Sequence, residues 1–506
     1  MTIEEFLASP WKNSHKTYEE SAFNIRPAPE FSTAEVAVSS LYRACGFPNY
    51  AESAVPKAGR EFDRLSRVRA PRGGAANRLG DDTWRTILHG VLESPKQRNQ
   101  SSKRFLQLCP IVPDVALYSG SARLVGNSWN PGALMERMIE LGSDSPQDAS
   151  SLWNRLFDAL SIAPDDDVWA RWIHEEFSRR QRIAQEWTRS TLSSSPGLPV
   201  SEKAHIRYPA RQFVKDLDAI IDAKASMTRR QWISLLEAIV RLAAATHVLW
   251  LCRVNERLWR VTSAILGLSE APIPVDENDF RDRVITGDAD YLSYGSSSIP
   301  RIRDYASGYL VARAGLNLVL WSLEHERVPI NKLQSTGDLW NFLGKVRANK
   351  EKLISLGLPD RLQSLHDDEA RTIACKRGIG SNLIEFSRHT LGQRQTSNDT
   401  LRGYDQGFFL AKRDNARNAP WVLSLGPVAV LAMAHCCLRE ARGPRSVQRL
   451  CDHLAWYGLK INVGDIGTSN LGRQLRMLGL VLDSPDAESG MLLVPPFGLA
   501  REKDAT

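Results

Sequence analysis

No C-x-x-C pair occurs anywhere in this 506-residue chain, and its seven cysteines (45, 109, 252, 375, 436, 437 and 451) are scattered and odd in number. That spacing excludes a four-thiolate zinc cage and gives no support to a secreted disulfide framework. The vicinal pair Cys436-Cys437 lies in an apolar stretch and reads as core packing. A phosphate loop is also missing, because Gly73-Gly74 and Gly378-Ile379-Gly380 have neither the following lysine nor a strand-to-helix setting. His174-Glu175 and His325-Glu326 each lack the second histidine of H-E-x-x-H, and no G-x-S-x-G elbow occurs. His366-Asp367-Asp368-Glu369 would need histidines and carboxylates from other helices to hold a metal; a solvated helix start is the simpler reading. These gaps point away from an enzyme and call for no metal and no cofactor.

Long apolar runs free of charge are lacking too. The most apolar stretch, Trp232 to Cys252, is interrupted by Glu237, Arg241 and His247. It reads as a buried helix rather than a membrane span. Glu237 and Arg241 are spaced four apart for an ion pair that His247 is placed to join, and Glu385 and His389 have the same spacing. The opening Met-Thr-Ile-Glu-Glu-Phe-Leu is acidic and has no apolar signal region, so a cytoplasmic protein is expected. Lys and Arg outnumber Asp and Glu by only 65 to 58, with a pI near 9.0. Such a surplus permits nucleic-acid binding without demanding it.

What is present is helical periodicity over most of the length, and the fold class expected is mainly α with several domains. Residues 1–130 read as a mixed, irregular region: an arm through residue 31, then a capping box Ser32–Glu35 opening a helix, a loop at 70–80, and a strand at Val115–Tyr118. Residues 131–425 read as a helical body, with breaks near 193–199 and 267–299. Within it, Trp169, Trp172 and Trp187 alternate with Arg171, Arg180, Arg182 and Arg189 on one expected helix over 169–189, a pattern read as structural before nucleic-acid binding. Thr228–Gln231 is a capping box for the longest helix, expected to reach about Leu266. Helices follow at about 300–326, 336–356, 359–375 and 380–393.

The last 80 residues are organised differently. Gly426-Pro427 opens an apolar helix, and Val447, Leu450, Cys451 and Leu454 mark a second. A third helix follows over 469–478, then two strands at 480–482 and 491–494 around an acidic tip. Three helices and a hairpin in that order resemble a winged helix-turn-helix domain, covering 426–506. In DNA-binding members the third helix enters the major groove. The resemblance therefore implies double-stranded DNA as partner, with Ser469, Asn470, Arg473, Gln474 and Arg476 toward the duplex. Six Lys/Arg against two Asp between Arg442 and Leu480 give a local +4. Arg445, Arg449 and Lys460 belong to that set, and Lys412, Arg413 and Arg417 are placed to extend it. The acidic tip (Asp483, Asp486, Glu488) opposes phosphate contact by the hairpin.

A large helical body lacking catalytic motifs and ending in such a module resembles accessory subunits of bacterial antiphage-defence and chromosome-maintenance systems. That implies a non-catalytic DNA-binding or adaptor subunit, with partner ATPases or nucleases carrying the chemistry. A protein-interaction scaffold without DNA contact is the alternative, and a helical nuclease or other enzyme a third.

Overall fold

The computed structural model describes residues 2–10, 13–21, 23–25, 34–48, 81–92, 108–117, 131–180, 186–192, 209–367, 381–393, 405–441 except 415 and 417, 443–483 and 491–497. Arg417, Arg442, Ser32, the loop at 70–80, the stretch 193–199 and the hairpin tip after Asp483 lie outside them. The described helices of eight residues or more are α1 (Ala34–Gly46), α2 (Asp81–Leu92), α3 (Pro131–Gly142), α4 (Pro146–Leu160), α5 (Val168–Arg180), α6 (Pro209–Asp222) and α7 (Arg229–Leu266). They continue with α8 (Ser298–His325), α9 (Thr336–Ala348), α10 (Leu358–Asp367), α11 (Ser381–Leu391), α12 (Pro427–Leu438), α13 (Gln448–Trp456) and α14 (Asn470–Met477). The mainly helical class is as expected.

α7 is the axis. Its start is the anticipated capping box: the Thr228 side chain accepts from Gln231 N, and Gln231 Oε1 accepts from Thr228 N at 3.0 Å. Gly267, at φ 81°, ends it in the left-handed conformation. The helix is long and apolar enough to cross a membrane, yet its most apolar window is wholly enclosed by protein. A helix apolar on every side needs neighbours on every side. Here α8, α6, α12, α1, α11 and α9 supply them. α8 comes close because Gly315 has no side chain; a Cβ there would meet the Trp259 ring at 2.4 Å.

Buried arginines tie α7 to its surroundings. The fully buried Arg229 hydrogen-bonds the carbonyls of Ala159, Leu160 and Ser161, which end α4 without helical partners, and pairs with Asp166 at 3.2 Å. Arg241 bonds Asp405 at 2.7 Å and the carbonyls of Thr390 and Gly392 at 2.6 and 2.8 Å. The expected Glu237 contact exists at 3.6 Å but is secondary. His247 does not join it. Both its ring nitrogens are buried without partners, and the ring lies along Trp250 at 5.3 Å. Burial, with the charge of Arg137, pushes its pKa down to about 3.

Four other expectations are corrected. Val115 and Ala116 belong to a one-turn helix, Pro113–Ala116, because Pro113 sits at its first position, where a missing N–H costs nothing. The helix from Val168 ends at Arg180, and 186–192 is not helical. There Thr188 N and Ser190 N bond the carbonyls of Gly46 and Cys45 at the end of α1. Trp187 stacks on Phe157 at 4.9 Å and donates to Ser161 Oγ, while Arg189 pairs with Asp158. That segment is structural. Finally, the expected 336–356 helix is broken at Asn349, and His366-Asp367 ends α10 rather than starting a helix.

Among the described residues, one continuous apolar core runs from Ile3 to Leu493, across the 267–299 break and into the C-terminal segment. A smaller one gathers Phe47, Leu92, Leu108, Ile111, Ile173 and Phe177. Strands are short. β1 (Leu292–Ser293) pairs in parallel with β5 (Leu459–Lys460), and β2 (Leu410–Lys412) pairs antiparallel with β3 (Trp421–Leu423). β4 (Arg445–Ser446), β6 (Val481–Asp483) and β7 (Met491–Leu493) form an antiparallel sheet in the order β4-β7-β6.

Candidate nucleic-acid interface

α14 is a short helix with two well-made ends. The Ser469 side chain accepts from Gly472 N at 3.2 Å, and Gly479, at φ 68°, closes the other end with Leu480 N bonded to Leu475 O. Leu471, Gly472 and Leu475 are buried. Gly472 is required by the packing: a Cβ would stand 2.1 Å from Ile466 O. The exposed side carries Asn470, Arg473 and Met477, spaced i, i+3, i+7 and so on one stripe. Met477 is 78% exposed. The hairpin that follows turns Leu482 and Leu492, direct cross-strand partners, outward to solvent.

Of the residues expected to face DNA, Arg473 alone combines exposure, positive charge and a side chain with no hydrogen bond or ion pair among the described residues. Arg476 is exposed but turned back, with Nη1 on Gly467 O at 3.0 Å and Nη2 near Met491 Sδ. Gln474 is half-buried, and its Oε1 is sealed without a partner. Arg449 donates from Nε to Cys437 O at 2.5 Å, closing the end of α12. Arg445 bonds the neighbouring Pro444 carbonyl. Lys460 pairs with Asp290 at 3.0 Å. Arg413 donates to Gly295 O at 2.8 Å, and Lys412 Nζ approaches Ala416 O at 3.5 Å. Lys460 and Arg413 thus meet one strip, residues 290–295, from its two ends. The cations are gathered on neighbouring elements, but most already have internal acceptors.

Below α14 the module is fastened to the body by groups that no motif announces. Asp216 on α6 is 1% exposed, and it accepts from His453 Nε2 on α13 at 2.9 Å, from Tyr457 Oη just past the end of α13 at 2.8 Å, and from Gln212 Nε2 at 2.8 Å. Burial and the adjacent carboxylate push the Tyr457 phenol far above its usual range. Beside this, Arg439 pairs with Asp218 and Asp222 at 2.5 and 2.6 Å, and Arg155 reaches the same two carboxylates. Gly458 lies against the Tyr291 ring, where any Cβ would clash at 2.1 Å, and its carbonyl takes Tyr291 N and Leu292 N. The sequence hides this joint because its two sides are distant in the chain, as in the 237 residues between Asp216 and His453.

One more oriented histidine stands outside the module. His174 Nδ1 lies 2.8 Å from the buried Asp114 carboxylate, which Ser178 Oγ also approaches at 3.4 Å. Among the described residues no three His, Cys, Asp or Glu side chains group as metal ligands. Comparison with protein-family models and with curated proteins gives no match for this chain.

Proposed function

We propose that the chain is a non-catalytic DNA-binding or adaptor subunit of a bacterial nucleic-acid-processing system, with residues 426–497 acting as a winged helix and α14 laid toward the duplex. The observation that carries this reading is the exposed, capped α14 with Asn470, Arg473 and Met477 on one stripe and an antiparallel β4-β7-β6 sheet behind it. These side chains match what base edges offer: Arg suits guanine, Asn suits adenine, and an apolar group suits the thymine methyl. Because its neighbouring cations are internally bonded, this face neutralises few phosphates. Its binding should therefore depend weakly on salt, with a log–log slope of about −1 to −2. ATP-driven or nuclease chemistry would belong to partner subunits.

The test is anisotropy of labelled duplex DNA at two salt concentrations, on wild type, Arg473→Ala and Arg473→Ala/Arg476→Ala. Loss of Arg473 should weaken binding roughly 5- to 150-fold, the equivalent of about 1–3 kcal/mol. Unchanged affinity removes α14 from the interface. A second reading, docking of another protein subunit, is favoured by the outward Leu482/Leu492 pair and the exposed Met477. Under it, DNA binding is absent and Leu482→Lys abolishes subunit capture. Cleavage of DNA by the pure protein with a divalent metal would overturn both.

A further inference from the structure

The described part of the N-terminal segment 2–25 lies across the seam of α7 and α8 and is held there by side chains far away in sequence. Asn317 Oδ1 accepts from His15 N at 2.7 Å, and Trp321 Nε1 donates to Asn13 O at 3.3 Å. Arg313 bonds Ser14 Oγ and approaches Pro10 O. Further on, Tyr18 Oη donates to Asn255 Oδ1 at 2.8 Å, Asn255 Nδ2 donates to Phe23 O, and Tyr309 Oη meets the backbone of Ile25. Tyr18 and Phe23 close a small apolar void with Leu258, Leu316, Leu320 and Phe342. Besides the side-chain anchors at Ser14, Tyr18 and the Glu4–Arg361 ion pair, most of these bonds reach the segment's backbone, so its stay depends in part on its own local shape.

That shape is set by one imidazole. His15 caps the single-turn helix Lys16–Glu19: its Nδ1 lies 3.2 Å from Thr17 N and can only accept there. The proton therefore sits on Nε2, which donates to Glu324 at 2.6 Å. A second proton has to go on Nδ1, where it points at the Thr17 amide hydrogen. The cap then becomes a donor–donor clash. We propose that the described residues of 2–25 form a proton-operated latch, in which one proton taken up by His15 removes the cap of its helix and lets these residues lift from the α7–α8 seam.

The opposing effect is the ion pair gained with Glu324. That carboxylate is 58% exposed, whereas the His15 side chain is 6% exposed, so the pair is screened while the imidazolium is desolvated. The other charges nearby are Arg313 on α8, which bonds Ser14 Oγ, and Lys16 and Glu20, which pair with each other at 3.8 Å. Burial, set against the Glu324 contact, holds the His15 pKa below 6.5. A depressed histidine pKa contributes stability above pH 6.5, and that contribution is lost as pH falls toward the folded value. The latch is closed at neutral pH and opens in acid. It does not depend on the DNA-binding reading.

Hydrogen exchange of the full chain tests this, comparing pH 7.5 with pH 5.5 after correction for intrinsic rates. Protection of amides in 13–25 should fall up to about tenfold more than that of α7 amides, one pH unit being worth a factor of ten. In His15→Asn, whose side-chain oxygen caps without titrating, the extra loss should vanish. Equal protection at both pH values in wild type, or the same loss in His15→Asn, overturns the latch. Should His15→Asn fail to dock at pH 7.5, Glu324→Gln decides. It keeps the cap and removes the counter-charge, so its acid response must be larger than wild type; a smaller or absent response overturns the latch.

Discussion

Replacing Asp216 tests how the C-terminal module is held. Its carboxylate is the shared acceptor for three buried donors: His453 Nε2, Tyr457 Oη and Gln212 Nε2. Asp216→Ala leaves them in a space closed to water. Each stranded donor costs about 1–3 kcal/mol. Gln212 can turn away along its own helix, so the expected loss is about 3–5 kcal/mol, the usual range for breaking a buried charged pair. Asp216→Asn is the informative contrast. Its amide oxygen can face His453 and Tyr457 while its NH₂ donates to a flipped Gln212 Oε1, so every group keeps a partner and only the charge-assisted strength goes. That variant should lose about 1–2 kcal/mol. Hydrogen exchange across α13 and β5, with urea unfolding of the whole chain, separates local release from global destabilisation. Exchange of α13 amides should rise roughly 100- to 5,000-fold in Asp216→Ala, following about 1.4 kcal/mol per power of ten. The reasoning fails if Asn is as damaging as Ala, or if Ala leaves α13 protected.

Two further perturbations probe α7. Arg241→Met removes the cation paired with the fully buried Asp405 carboxylate and close to Glu237, and should cost about 3–5 kcal/mol. Adding Asp405→Leu should recover part of that in a urea double-mutant cycle, and no recovery would refute the coupling. His247→Leu replaces a buried imidazole whose ring nitrogens have no hydrogen bond among the described residues. With a folded pKa near 3 against an ordinary 6.5, wild type loses stability below pH 6.5 and the variant should not. At pH 5 the variant should be about 2 kcal/mol more resistant to urea than wild type, relative to their difference at pH 7.5; equal pH slopes would refute the assignment.

The legible parts of the fold were those written in local spacing. Thr228 and Gln231 lie three residues apart, so the start of α7 could be read directly, as could the Leu471–Leu475 face of α14 and the glycine that ends it. The strand expected at Val115 failed because Pro113, two residues earlier, starts a helical turn there. The 169–189 helix was overrun because nothing nearby reveals that 188–190 bonds to the end of α1. For the interface, residue types were legible but availability was not. Arg449 and Arg476 look like DNA contacts in sequence, and only folding brings Cys437 O and Gly467 O within their reach. Arg241 shows the same limit: its near partner Glu237 is legible, whereas its stronger one, Asp405, lies 164 residues downstream.

The burial of α7 on all sides also governs how this polypeptide can be cut. Any fragment that keeps 229–266 but omits α6, α8 or α12 exposes part of a greasy 38-residue rod, about 57 Å long and longer than a bilayer is thick. Such pieces should be drawn into detergent or lipid, or clump during synthesis, whatever the intact chain does. Dissection into working parts is therefore best attempted by leaving the spindle and all its wrappings together.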